Sequence, residues 1–129
     1  PPRSTLFPYT TLFRSVPAYY AMATVFVLPS EWEPWGLVVN EAMSCGVPVI
    51  VSDRVGCAAD LVRDGETGLV VPTGDADALA AALRRLLTDP AAAAAMGKAG
   101  QALVNDWDYA ADLRGLRRAL GLLETQAVP

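Results

Sequence analysis

An apolar run, a helical pattern and a second apolar run follow one another in the first half of the chain, and this order limits the folds it can adopt. The runs cover residues 23–29 and 47–53, and both are rich in β-branched side chains. Their apolar residues are consecutive rather than alternating, as is typical of parallel strands covered on both faces. The segment between them, 36–46, ends in a glycine and has helical spacing at Leu37, Val38, Glu41, Ala42 and Cys45. The sequence therefore predicts a βαβ unit.

The rest of the chain is predicted to add one strand and several helices. The pattern indicates a short helix over residues 58–63, a turn at 64–65, a strand over 68–72, and helices over 75–87, from Pro90 onward and over 109–123. On the apolar faces of the first and last of these long helices we expect Leu79, Leu83, Leu86 and Leu87, and Leu113, Leu116, Leu120 and Leu123. The predicted fold class is α/β, a partial Rossmann-like parallel sheet with flanking helices and further C-terminal helices.

Composition excludes several kinds of function. The 129 residues include no His and two Cys, Cys45 and Cys57, so an imidazole base and a four-ligand zinc site are excluded and no metal is expected. With 10 basic and 14 acidic side chains the net charge is -4, which gives no basic footprint for a nucleic acid. No apolar run reaches membrane-spanning length, and a lone pair of thiols is typical of a reducing compartment. We therefore expect a cytoplasmic protein.

The first fifteen residues are set apart from the rest of the sequence. Residues 1–15, PPRSTLFPYTTLFRS, resemble the conceptual translation of a widely used short-read sequencing adapter, codon by codon. We expect an artefactual, disordered leader over 1–15, followed by a native domain over 16–129 that is truncated at its N-terminus. Excluding the leader removes Arg3 and Arg14 and no acid, so the net charge of -4 becomes -6.

Two carboxylates flank the start of the helix predicted over residues 36–46. Glu33 lies on the loop after the first strand, at the sheet edge where ligands of α/β folds bind. The backbone N–H groups around Gly36 and Leu37 open the helix and offer unpaired donors and the positive end of its dipole to a diphosphate. Glu41 follows a little over one turn later and can accept hydrogen bonds from a diol. A nucleotide sugar has hydroxyls at both ends and phosphates between them, so it fits this arrangement.

The same stretch resembles the E-x7-E signature of retaining GT-B glycosyltransferases of family 4, or group 1. The matching residues are PSEWEPWGLVVNEAMSCGVPV, from Pro29 to Val49, and the likeness continues through Gly56, residues 64–68, Pro72 and residues 74–75. The resemblance implies that residues 16–129 are the second half of the C-terminal, nucleotide-sugar-binding domain. It also implies that the intact enzyme transfers a hexosyl-type sugar from a UDP-, GDP- or ADP-sugar to an acceptor hydroxyl, with retention and without a cofactor or metal.

The resemblance also implies a role for each matching residue. Glu33 would lie against the donor sugar at the reaction centre, as the catalytic residue and a donor-binding residue. Glu41 would take the hydroxyls of the nucleotide ribose. The backbone of Trp35, Gly36 and Leu37 would hold sugar hydroxyls and phosphates. The side chain of Trp35 either stacks on a ligand or packs at the base of the loop.

This chain departs from the family pattern in two respects. Many relatives have Gly-Gly-x-x-Glu after the second strand, where this chain has Gly56-Cys57-Ala58-Ala59-Asp60. The phosphate-binding Arg and Lys of the family and its N-terminal, acceptor-binding domain would precede Val16. We therefore expect the 129-residue chain alone to be inactive.

Expected partners are the nucleotide-sugar donor, a sugar, lipid or small-molecule acceptor and the N-terminal GT-B domain, and no nucleic acid. Peripheral docking at the inner face of the membrane is left open.

Three other interpretations remain at this point. The chain could be a non-catalytic nucleotide-binding or interaction module of flavodoxin-like type. It could be a degenerate glycosyltransferase that serves as a regulatory subunit, although the presence of both Glu33 and Glu41 argues against that. The two glutamates could also be solvated acids that the helix dipole favours at a helix start.

Overall fold

The computed structural model describes the backbone of residues 9–121 and the side chains of residues 16–121. It contains a three-stranded sheet and six helices within that range, in an α/β arrangement that confirms the predicted fold class. In chain order the elements are α1 (Tyr9–Met22), β1 (Phe26–Leu28), α2 (Leu37–Ser44), β2 (Val49–Ser52), α3 (Ala58–Leu61), β3 (Leu69–Val71), α4 (Ala76–Thr88), α5 (Pro90–Asn105) and α6 (Tyr109–Ala119).

The sheet is parallel, with strand order β1-β2-β3. Phe26 lies opposite Val49, and Ile50 lies opposite Leu69. All four residues of the central strand β2 are buried. This burial explains why the strand is an unbroken apolar run in the sequence, because a strand with partners on both sides and helices on both faces has no side chain in water.

Alternate residues of the strands face two separate layers of helices. Val49 and Val51 belong to a buried cluster that includes Val39, Ala42 and Met43 of α2 and Ala58 and Leu61 of α3. Ile50 belongs to a second cluster with Leu69, Val71, Ala82 and Leu86, and with Ala93 and Met96 from the first half of α5. The predicted flanking helices are therefore present on both faces of the sheet.

The buried face of helix α2 differs from the face that the sequence spacing predicted. Val39, Ala42 and Met43 are fully buried, whereas the side chain of Leu37 is 64% exposed and Glu41 is exposed. The helix ends as predicted, because Gly46 takes a positive φ of 73° and its N–H donates to the carbonyl of Met43. Because Val39, Ala42 and Met43 face the core, Leu37 and Glu41 lie on the solvent-exposed side of the helix.

Two predicted apolar faces differ from the structure. In α4, Leu86 is buried but Leu87 is 54% exposed, because consecutive helical residues lie about 100° apart and cannot both face the sheet. In α6, Leu113, Leu116 and Leu120 are aligned as predicted, yet no residue of that helix is buried. Leu123 lies outside the described residues.

Helix α1 was not predicted, because its first half lies in the segment set aside as a leader and Pro17 lies inside it. Residues 9–15, the second half of the expected leader over 1–15, form the first half of α1. Extending an existing helix costs less than nucleating one, so residues without a helix breaker can continue it toward the N-terminus. Residues 1–8 lie outside the described residues, and the adapter origin of the segment stays a prediction.

Candidate functional site

The loop that follows β1 is fastened to the loop that follows β2. The N–H of Glu33 donates to the carbonyl of Arg54 at 3.2 Å, and the N–H of Gly56 donates to the carbonyl of Glu33 at 2.9 Å. The N–H of Cys57 donates to the carbonyl of Trp35 at 2.8 Å. Together these bonds continue the parallel pairing of the sheet beyond its strands, with Glu33 bridged to Val55. The backbone of Glu33 is thereby fixed at the carboxyl edge of the sheet.

Gly56 allows the two loops to approach this closely. A Cβ atom added at Gly56 would lie 2.0 Å from the carbonyl oxygen of Pro34. A side chain at this position would have to displace the backbone of the loop that carries Glu33. The requirement for glycine at 56 is therefore steric, and it concerns the geometry of the site rather than its chemistry.

Gly36 shapes the start of α2. It is the N-cap residue, with φ 94° and ψ 56°, and it provides no side-chain hydrogen bond to the helix. Because the first turn of an α-helix has N–H groups without intrahelical acceptors, this end of α2 presents backbone donors and a partial positive charge. Leu37 follows immediately and is exposed. The arrangement suits an anion such as a phosphate.

The structure places the five predicted site residues along one short stretch of backbone. Glu33 is half-buried on the loop, with Trp35, Gly36 and Leu37 directly after it at the tip of α2. Glu41 lies about one turn into the helix and is exposed. Two carboxylates therefore lie on either side of the helix tip in the chain, as the sequence indicated.

Tyr20 is a neighbour of the site that sequence reasoning missed. Its hydroxyl donates a hydrogen bond of 2.9 Å to Oε2 of Glu41, across the contact between α1 and α2. Burial, followed by the hydrogen bond to Glu41, raises the pKa of Tyr20 to about 12. Nothing in the sequence distinguishes Tyr20 from the adjacent Tyr19, because only the fold decides which of them turns toward α2.

The side chain of Trp35 packs at the base of the loop. Its indole N–H donates to Oδ1 of Asn40 at 3.0 Å. Its ring centroid lies 5.8 Å from that of Trp107, between α5 and α6. Of the two predicted alternatives for this side chain, packing is therefore the one that the structure shows.

Cys57 stands where many relatives have a second glycine, and it fits the site without distorting it. The side chain is fully buried, and Sγ lies 3.8 Å from the carbonyl oxygen of Gly36. Burial raises the pKa of the Cys57 thiol to about 11. The thiol thus behaves as a small apolar group beneath the helix tip.

The two thiols are expected to differ in reactivity. Cys45 is partly exposed, whereas Cys57 is buried and its thiolate is disfavoured at neutral pH. Iodoacetamide at pH 8 should label Cys45 alone in the folded chain and both cysteines in denaturant, as counted by mass spectrometry. Labelling of Cys57 under native conditions would show that the base of the loop opens.

Asp53, another acid at the carboxyl edge of the sheet, has a structural partner. Asp53, which follows β2, accepts hydrogen bonds from the N–H and the hydroxyl of Thr73, and these bonds hold the pKa of its carboxyl below the usual value. They close the loop after β3, beside a cavity of about 170 Å³ lined by Ser52, Val71 and Asp75 among others.

Between residues 16 and 121 no three His, Cys, Asp or Glu side chains are grouped to hold a metal ion.

None of the helices in the described part of the chain is both long and apolar enough to span a membrane.

The chain is similar to glycosyltransferases in sequence. The family model described as glycosyl transferases group 1 matches residues 7–103. The GDP-mannose-dependent alpha-(1-6)-phosphatidylinositol monomannoside mannosyltransferase of Mycolicibacterium smegmatis is 44% identical over 112 residues, which are 81% of this chain and 28% of that protein. The D-inositol 3-phosphate glycosyltransferase of Thermobifida fusca is 43% identical over 82 residues, or 64% of this chain and 19% of that protein.

Solved structures show the same likeness. Sucrose-phosphate synthase from Thermosynechococcus elongatus has a TM-score of 0.70 and 48% identity, covering 81% of this chain and 27% of that one. Anabaena HepE in complex with UDP has a TM-score of 0.75 and 27% identity, covering 84% and 30%. The chain therefore spans less than a third of the length of these relatives, and its fold is that of a Rossmann-like part of a GT-B protein.

Proposed function

Because the chain belongs to the glycosyl transferases group 1 family, we propose that it forms part of the donor-binding domain of a retaining glycosyltransferase. In this proposal Glu33 is the catalytic residue, the backbone at Trp35, Gly36 and Leu37 binds the sugar and the diphosphate, and Glu41 binds the ribose. The family match favours this function over a non-catalytic flavodoxin-like module.

One observation carries the proposal: the backbone of the half-buried Glu33 is held by hydrogen bonds beside the open N-terminus of α2. Sugar transfer needs stabilisation of positive charge on the sugar and of negative charge on the departing diphosphate. The carboxylate of Glu33 suits the first charge, and the N–H groups at the tip of α2 suit the second. The backbone that carries both groups is restrained without a ligand.

The donor is proposed to be a nucleoside diphosphate sugar with UDP, GDP or ADP as its nucleotide and a hexosyl-type sugar. HepE has been solved in complex with UDP-glucose, and the mycobacterial relative is described as GDP-mannose-dependent. These names differ in the nucleotide, so they support the donor class rather than one donor. No metal or cofactor takes part in the proposed reaction.

The activity is proposed for the whole enzyme, since this chain matches less than a third of its relatives. An N-terminal GT-B domain would supply the acceptor site, and the 129-residue chain alone is expected to show negligible transfer. Acceptors of the sugar, lipid or small-molecule class all fit. The enzyme is proposed to be cytoplasmic and to dock at the inner face of the membrane when its acceptor is a lipid.

The stereochemical outcome tests this proposal. The full-length enzyme, supplied with UDP-, GDP- and ADP-sugars of α configuration, is expected to give an α-linked product from at least one of them. NMR of the purified product reads the configuration of the new glycosidic bond, which does not mutarotate. A β-linked first product would contradict retention, and the absence of transfer from every donor of the class would contradict the function itself.

A further inference from the structure

Glu41 has a protein partner that leaves most of its carboxylate open. Oε2 accepts the hydroxyl of Tyr20 at 2.9 Å. An ionised carboxylate has about four lone-pair sites on two oxygens, so Oε1 and the remaining site on Oε2 can still accept. The bond therefore orients the group without saturating it.

Tyr20 is itself held in place. Its ring packs edge-to-face on Phe26, with centroids 5.7 Å apart and planes at 67°. It also lies against the buried cluster of α2, α3 and the sheet. A half-buried phenol fixed by the core thus restrains an exposed glutamate, which would otherwise sample several rotamers at the helix surface.

We propose that Tyr20 is a positioning residue for Glu41: it fixes the carboxylate so that its remaining acceptor sites receive the diol of the nucleotide ribose. This proposal rests on the role of Glu41 given above. The phenol keeps its proton throughout the neutral range, since its pKa is raised to about 12. It can therefore donate to Glu41 at neutral pH.

A purely structural role for Tyr20, as a link between α1 and α2, predicts a different result. In that case removal of the hydroxyl would lower stability and affect all ligands alike. A positioning role predicts an effect only on ligands that have the diol, and only while Glu41 is present.

The experiment compares Tyr20→Phe, Glu41→Ala and the double variant in the full-length enzyme. Tyr19→Phe is the matched control, because Tyr19 is adjacent in sequence and 66% exposed. Isothermal titration measures Kd for the tightest-binding of UDP, GDP and ADP, and for its 2′,3′-dideoxy analogue. Tyr20→Phe is expected to weaken binding of the diphosphate about three- to tenfold, to leave the dideoxy analogue unaffected and to add nothing to Glu41→Ala. KM for the donor should rise by the same factor while kcat holds.

Two results would overturn the positioning role: equal weakening of both ligands by Tyr20→Phe, or the same weakening in the Glu41→Ala background. Unchanged binding in Tyr20→Phe would overturn it as well. A separate result would contradict the proposed role of Glu41: the wild-type protein would bind the dideoxy analogue as tightly as the parent nucleotide. Thermal melts of all variants show whether each of them remains folded.

Discussion

Glu33→Ala is expected to lower kcat/KM for sugar transfer by the full-length enzyme by roughly 10³-fold, on the scale of losing a preorganised charged group at a reaction centre. The loss should appear mainly in kcat, because Glu33 acts on charge that develops in the transition state. The backbone bonds that hold the loop involve main-chain atoms of Glu33, so alanine retains them. Steady-state kinetics with the preferred donor measure the effect.

Glu31→Ala provides the matched control for this prediction. Glu31 is an exposed acid on the same loop, two residues before Glu33, and its removal changes the charge of the loop equally. We expect near-wild-type kinetics from it. Wild-type kinetics from Glu33→Ala would remove that residue from the site, whereas equal losses in both variants would indicate a general effect of the loop's charge.

Gly56→Ala is expected to destabilise the folded chain by about 3 kcal/mol, at the upper end of the range for overpacking. The added methyl group would have to share space with the carbonyl of Pro34, which lies 2.0 Å from its ideal position. Relief requires the loop that carries Glu33 to move away from the loop after β2. Urea denaturation followed by circular dichroism measures the free energy of unfolding.

Gly115→Ala separates this steric effect from the general effect of adding a methyl group. Gly115 lies in α6, and a Cβ atom there has nothing within 4 Å. Alanine is favoured over glycine in a helix by about 1 kcal/mol, so this variant should be slightly more stable than the wild type. An unfolding free energy of Gly56→Ala close to the wild-type value would show that the two loops are not in the contact described.

The elements that the sequence predicted well are those with a strong local signal. Strand β2 is a continuous apolar run, and it is buried on both faces. The ends of α2 and α5 carry their own markers, since Gly46 has the positive φ that stops a helix and Asp89 accepts from the N–H of Ala92 beside Pro90. In each case a few neighbouring residues determine the local backbone.

The parts that the sequence did not predict depend on distant partners. Helix α1 has Pro17 inside it, and its packing on α2 brings together residues that are distant in the sequence. The hydrogen bond from Tyr20 to Glu41 joins residues 21 positions apart. The contact of Gly56 with Pro34 likewise joins two loops that no local pattern connects. The sequence pattern singled out both glutamates as candidates, but it did not indicate the contact of Glu41 with Tyr20.

The loop that carries Glu33 is restrained at two places, by backbone bonds to the loop after β2 and by the packing of Trp35 on Trp107. Its conformational entropy is therefore lost when the chain folds rather than when a ligand binds. A ligand that binds at the tip of α2 would therefore need to order little of this loop. Selectivity among ligands at this position then depends on shape and charge, because little of the binding free energy is consumed in ordering the protein.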